Sequence, residues 1–204
     1  GWARTEKEKG VYSFEWIDSI VDNLIQRGLK PWICLCYGNG IYDEAAAKVF
    51  WAVGCPPIHT EEQKNAWANY CRTIAARYKG KVDHFEIWNE PDGLGFWKHG
   101  VNAEELGNFT DDTAKAVKEG NPGAYLIGGV FCTRPLSYPN TALKTGMGKT
   151  IDAISFHEYT PSEANVLERV RALRALGRQF NPNMEIIQGE SGSQSRSDGH
   201  GALA

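Results

Sequence analysis

The sequence reads as an α/β chain, a (β/α)8 TIM barrel that is incomplete over these residues. Three observations carry that reading. Segments of helical and strand periodicity alternate strictly along the chain, the order of a parallel sheet with helical crossovers. Polar residues gather at the C-terminal end of one strand after another, as in barrels with a site at that face. And Gly38-Asn39-Gly40, after the first strand, lacks the third glycine of a dinucleotide-binding turn and is followed by a long loop instead of a helix.

Taken in order, Ser13 is expected to cap a helix whose apolar residues are Trp16, Ile17, Ile20, Val21, Leu24 and Ile25, with Gly28 as its stop. A buried strand over residues 29–37 follows, then a long irregular stretch to about Ile58, rich in Gly, Pro and aromatic residues. Thr60 and Gln63 form a capping box for a helix carrying Trp67, Tyr70, Cys71, Ile74 and Tyr78, ended by Gly80. A strand is expected over residues 82–88, and Asn102 with Glu105 starts a helix running toward Gly120. Residues 125–131 form the next strand, 141–146 a weakly helical segment and 151–159 another strand. A helix bearing Val166, Leu167, Val170, Leu173 and Leu176 then leads to a last strand over 184–189. That makes five strands where a barrel has eight. Residues 1–204 are therefore expected to form a single, partial barrel domain that lacks its first strand or two and its last.

Composition narrows the function classes. The chain has 204 residues, 42 % hydrophobic and 23 % charged, a globular balance able to bury a core without disulfides. Twenty-two basic against 25 acidic residues give a net charge of −3 and no basic footprint, so neither nucleic acid nor a membrane surface is an expected partner. No apolar run reaches the roughly 18 residues of a membrane span. The five cysteines are irregularly spaced, without metal-ligand spacing; Cys34 and Cys36, on one face of a strand, are expected to be packing residues. They weakly favour a reducing compartment and leave the localisation open.

Three strings carry chemistry. In His84-Phe85-Glu86-Ile87-Trp88-Asn89-Glu90-Pro91-Asp92, a period of two turns Phe85 and Ile87 toward the helices and Glu86, Trp88 and Glu90 into the barrel, with Pro91 ending the ladder after Glu90. In Glu185-Ile186-Ile187-Gln188-Gly189-Glu190-Ser191-Gly192, the same parity turns Ile187 outward and Gln188 and Glu190 inward, with glycines allowing close approach of a ligand. In the third, Ser155, His157 and Tyr159 share the barrel face. Two carboxylates opposed across a barrel mouth suit glycoside hydrolysis, one as proton donor to the leaving oxygen and the other attacking the anomeric carbon. His157 can then contact a sugar hydroxyl or the acid, and Tyr159 can orient a carboxylate nucleophile. Glu86, lower in the barrel, is expected to be a structural charge paired inside.

These strings resemble clan A glycoside hydrolases, and Glu86-Ile87-Trp88-Asn89-Glu90-Pro91 with Ser155-Phe156-His157-Glu158-Tyr159 is most similar to glycoside hydrolase family 39, which includes β-xylosidases and α-L-iduronidases. The opening Gly1-Trp2-Ala3-Arg4-Thr5-Glu6 and Gly10-Val11-Tyr12 also look like that group. The resemblance implies a retaining enzyme for β-linked sugars without metal or organic cofactor, with Glu90 as acid/base, Glu190 as nucleophile, Asn89 on the 2-hydroxyl and Tyr159 beside the nucleophile. Its partner would be a carbohydrate. The chemistry needs the pair unequal, Glu90 protonated and Glu190 ionised. The other readings are a truncated, non-catalytic carbohydrate-binding barrel, or another clan A activity such as an endoglucanase or arabinofuranosidase.

Around the carboxylates, Tyr37, Trp2, Trp51 and Trp97 fall in expected rim loops where aromatic faces can stack on sugar rings, whereas Trp16 and Trp67 fall on helical stripes. Asn39 either hydrogen-bonds substrate or shapes its turn. His200 lies in the loop after the second glutamate. Asn108-Phe109-Thr110 is a formal glycosylation sequon inside an expected helix.

Overall fold

The computed structural model describes residues 1–159 and 162–192. Its elements in chain order are helix α1 (Trp2–Thr5), strands β1 (Glu6–Glu8) and β2 (Val11–Tyr12), helix α2 (Glu15–Gln26), strand β3 (Trp32–Leu35), helices α3 (Glu44–Ala47) and α4 (Glu61–Arg77), strand β4 (His84–Ile87), helix α5 (Ala103–Gly120), strand β5 (Tyr125–Phe131), helix α6 (Ser137–Lys144), strand β6 (Ala153–His157), helix α7 (Glu163–Gly177) and strand β7 (Glu185–Glu190). The five strands β3 to β7 form one parallel sheet in strictly sequential order. A doubly wound sheet reverses its order at a switch point; a barrel wall does not.

The caps explain where the helices start. Thr60 Oγ1 accepts from Gln63 N (3.2 Å) while the Gln63 side chain accepts from His59 N (3.0 Å). Asn102 Oδ1 accepts from Glu104 N and Glu105 N at the head of α5. Ser13 does not cap: α2 begins at Glu15 after Phe14, and the Ser13 hydroxyl bonds the Glu15 carboxylate.

The core lies between the outer face of the sheet and the helices. Phe85, Ile87, Leu126, Ile154 and Phe156 meet Trp67, Tyr70 and Ile74 of α4, Leu106, Phe109 and Val117 of α5, and Leu173 of α7. Helix α2 buries only Ile17 and Val21; Ile20 and Ile25 are exposed, as are Leu29 and Trp32 beside them. Among the described residues β3 has a strand on one side only, so α2 has sheet to cover on one side only. The opening residues are more ordered than a bare loop. Glu6, fully buried, accepts from Trp2 Nε1, Gly10 N (2.7 Å) and the Tyr42 hydroxyl (2.6 Å), which ties α1, the β1–β2 hairpin and the loop after β3 together.

Candidate active site

The strand bodies keep the period of two, and the strand ends break it. In β4, Phe85 and Ile87 face the helices and Glu86 faces inward, opposite Cys34 of β3. Trp88, expected inward, does not follow. Its φ of +68° turns the ring into the helix layer, where it packs on Trp67, Trp97 and Phe109. Glu90 also has positive φ (+46°), and Pro91 then stops the strand. The two together swing the Asn89–Glu90 pair over the inner face.

In β7 the expected parity is inverted. Ile186 packs on the helix-side core, and Ile187 pairs with the inward Ser155. Gln188 pairs with the helix-facing Phe156 and donates to Glu158 O (3.2 Å). Glu190 nevertheless faces the site, because the register slips by one: Phe156 opposes Gln188 but His157 opposes Glu190. Gly189 is the extra residue of that bulge. A Cβ there would lie 2.5 Å from Ser155 Oγ, 3.2 Å from Glu86 Oε1 and 3.5 Å from His157 Nε2. The glycine thus accommodates the protein's own polar side chains, not the close approach of a ligand.

These departures bring four of the expected residues together. His157 Nδ1 lies 2.8 Å from Glu90 Oε1 and 3.5 Å from Glu190 Oε2. The Tyr159 hydroxyl donates to Glu190 Oε2 (2.7 Å). One carboxylate oxygen of each glutamate and a ring nitrogen of His157 all fall within 4.8 Å of one another. By distance alone the three could gather round a cation, but they are already engaged with one another and with Tyr159. The surroundings differ: His157 is buried, Glu90 is 19 % exposed and Glu190 45 %. The hydrogen bond to Glu190 raises the Tyr159 phenol, which stays a donor across the neutral range. Burial raises the inward Glu86 carboxyl, opposed by the Ser155 hydroxyl and by His157. Glu86 Oε1 has no hydrogen-bond partner among the described residues, so the expected internal pairing is not found.

Asn89 and Tyr37 join the edge of this group. Asn89 Nδ2 donates to the Tyr37 hydroxyl (2.9 Å), and the Tyr37 ring stacks on Phe96. Burial, first among its causes, raises the Tyr37 phenol. A cavity of about 330 Å³ opens beside Tyr37 and Trp51. The remaining candidates lie elsewhere. Trp2 (0 % exposed) and Trp97 (1 %) offer no face to a sugar: Trp2 is stacked between Tyr42 and Tyr70, and Trp97 packs on Trp88 and Phe109 with Nε1 bonded to Glu105 (3.2 Å). Asn39 is buried and shapes its turn, its amide donating to Glu6 O (2.8 Å) and its oxygen accepting from Ile41 N (3.2 Å). His200 lies outside the described residues.

Two residues that the strand pattern does not single out hold the strand ends. Asp92 accepts from Cys132 N (2.9 Å) and Thr133 N (2.8 Å), pinning the turn after Glu90 to the end of β5, and burial together with Asp92 pushes the Cys132 thiol up to about 12. Arg169, buried on α7, donates to the carbonyls of Phe131 (2.8 Å), Thr133 (2.7 Å) and His157 (2.8 Å) and to Glu158 (3.1 Å). Its position on a helical stripe gives no sign of that reach.

Set beside known proteins, the chain matches the profile of glycosyl hydrolases family 39 over residues 2–188. The chain belongs to that family. It is 25 % identical over 201 residues to a beta-xylosidase of Geobacillus stearothermophilus, an alignment covering 84 % of this chain and 39 % of that protein. It is 30 % identical over 165 residues to a beta-xylosidase of Caldicellulosiruptor saccharolyticus, covering 72 % of this chain and 31 % of that one. In structure it resembles a family 39 enzyme of Xanthomonas axonopodis pv. citri (TM-score 0.72, 21 % identity, 91 % of this chain and 41 % of that one). It also resembles a monomeric beta-xylosidase of Caulobacter crescentus (TM-score 0.71, 20 % identity, 91 % and 42 %). At those identities the structural likeness speaks for the fold alone, a (β/α)8 barrel of which this family 39 chain forms part. The chain spans about two fifths or less of the length of these relatives.

Proposed function

We propose that this family 39 chain carries the catalytic pair of a retaining glycoside hydrolase for β-linked sugars, with Glu90 as acid/base and Glu190 as nucleophile. The observation that carries the reading is the closeness of the carboxylates: both stand on His157 Nδ1, at 2.8 and 3.5 Å, and one oxygen of each comes within 4.8 Å of the other. Retaining pairs stand about 5–5.5 Å apart, while inverting pairs leave roughly 6.5–9.5 Å for a water. The surroundings fit the two roles. Glu90, mostly enclosed and beside buried His157, suits the group that hands a proton over and takes one back; Glu190, more open and held by Tyr159, suits the attacking carboxylate.

In the first step a Glu190 oxygen bonds to the anomeric carbon as the bond to the leaving oxygen breaks, and Glu90 gives that oxygen its proton. In the second, water attacks the same carbon, Glu90 takes the water's proton, and the bond to Glu190 breaks. Asn89, held by Tyr37, is the group we assign to the 2-hydroxyl, and the partner is a carbohydrate. The relatives' names put aryl β-xylosides first among the substrates to try, followed by glucosides and galactosides.

The test is hydrolysis of that panel by this chain, with Glu90→Gln and Glu190→Gln alongside. Turnover in the wild type that both variants abolish is the expected result. A folded wild-type chain silent on every glycoside and on polysaccharides would overturn the reading in favour of a non-catalytic barrel.

A further inference from the structure

The mechanism above uses Glu90, Glu190, His157 and Tyr159, but leaves a buried carboxyl directly beneath them unemployed. Glu86 is 7 % exposed and points into the sheet's inner face. Its Oε1 and the Ser155 hydroxyl are both buried without a hydrogen-bond partner among the described residues. Both, with His157 Nε2, crowd the one point where Gly189 has no side chain, at 3.2, 2.5 and 3.5 Å from the position a Cβ would take. The imidazole thus lies between two carboxyls: Nδ1 contacts Glu90 at 2.8 Å, and Nε2 borders the same point as Glu86 Oε1 and Ser155 Oγ without a hydrogen bond to either.

We propose that Glu86 is a positioning residue for the acid/base step, the counter-charge behind His157 that keeps Nδ1–H directed at Glu90. The proposal rests on the role given to Glu90 above. Its physical basis is the cost of an unpaired charge in a water-poor site, which is large unless an opposite charge offsets it. An ionised Glu86 favours the imidazolium, and the imidazolium favours an ionised Glu86. With both nitrogens protonated, Nδ1–H stays on Glu90 while Glu86 acts through its charge alone, and Glu90 can lose and regain its proton without the ring having to turn. The other charged or titratable groups facing the pair are Cys34 from β3 and Cys36 just after it, Glu90 from beyond the end of β4 and Glu190 from β7. From the helix side Arg169 binds the His157 carbonyl. Gly189→Ala is the steric counterpart, since the added methyl would drive Ser155 and Glu86 apart.

The experiment is an NMR titration of the imidazoles in this chain, which holds five histidines, in the wild type and in Glu86→Gln. The glutamine keeps the shape and removes the charge. The expected result is a His157 titration moved to lower pH by about one pH unit, the scale for an opposite charge at close range, with the other assigned histidines unmoved. On aryl glycosides with poor leaving groups, kcat should fall more than KM changes. A folded Glu86→Gln protein whose His157 titrates as in the wild type overturns the proposal. If Glu86→Gln does not fold, Glu86→Asp decides it, since it keeps the charge but draws it back by one methylene: a smaller shift in the same direction supports the coupling, and an unmoved His157 overturns it. Failure of the function reading looks different: a wild-type chain inactive on every glycoside, yet with His157 coupled to Glu86, removes the acid/base role while the charge pairing stands.

Discussion

The two strand ends that bear the glutamates are built in opposite ways. At the end of β4 the chain turns through two positive-φ residues, is stopped by Pro91 and is pinned by Asp92 to the β5 loop, so Glu90 stands fixed against buried His157. At the end of β7 one bulge resets the register, and Glu190 stands 45 % exposed with an exposed tyrosine as its hydrogen-bond donor. A group that passes a proton both ways is served by enclosure and a fixed partner; a carboxylate that forms and breaks a bond to carbon is served by openness and a steady donor. The difference teaches that the proposed division of labour lies in the surroundings, since the side chains are the same.

Breaking the β7 side should have the largest effect. Glu190→Ala removes the group proposed to bond the sugar, and kcat should fall about 10⁴-fold or more, the scale for losing a member of a catalytic unit; steady-state turnover of an aryl β-xyloside checks it. Glu90→Ala should cost about 10²–10⁴-fold on substrates with poor leaving groups, the range of general-acid help, and far less on activated ones. Added azide, which needs no general base to attack, should restore turnover of the activated substrates in the Glu90 variant. Equal losses on all leaving groups would erase the contrast between the two ends.

Smaller effects sharpen the same contrast. Tyr159→Phe removes the donor to Glu190 and should lower kcat about tenfold, in line with a hydrogen bond to a charged group at an exposed site, with little change in thermal midpoint. Asp92→Asn should act the other way, on the fold. It sets an amide against backbone donors in a buried site and should destabilise by about 1–3 kcal/mol, read as a lower midpoint in urea. The smallest expectation concerns Asp18, far from both ends, whose carboxyl is lowered first of all by hydrogen bonding from Arg77 (Nε to Oδ1, 2.9 Å). Its folded value is depressed, so its contribution is present above the ordinary carboxylate range near pH 4 and is lost as pH falls through the folded value. Because Arg77 is largely exposed, the effect should be well under about 1 kcal/mol. Comparing acid unfolding of the wild type and Asp18→Asn measures it.

How much of this was legible in the sequence follows from the same contrast. The strand order, the helix starts at Thr60 and Asn102, and the outward faces of Phe85 and Ile87 come from local signals that the fold leaves untouched. Side-chain parity was legible only where the strands stay regular. Trp88 leaves it through positive φ in a residue with no local reason to adopt it, and β7 runs in the opposite parity until the bulge at Gly189 restores Glu190. The aromatic candidates divided by burial, which loop position does not reveal: Tyr37 reaches the site's edge while Trp2 and Trp97 pack inside. Arg169 and Asp92 could not be read because their partners are backbone groups far away in the chain.

The measurement that bears most directly on the central claim is the capture of a covalent sugar–enzyme adduct. This chain would be incubated with an activated 2-deoxy-2-fluoro aryl β-xyloside, and the labelled peptide sequenced by mass spectrometry. A stoichiometric adduct on Glu190, absent from Glu190→Gln and accompanied by retained anomeric configuration in the normal reaction, is the predicted result. Turnover that releases the inverted anomer first, with no adduct or with one on another residue, would contradict the account.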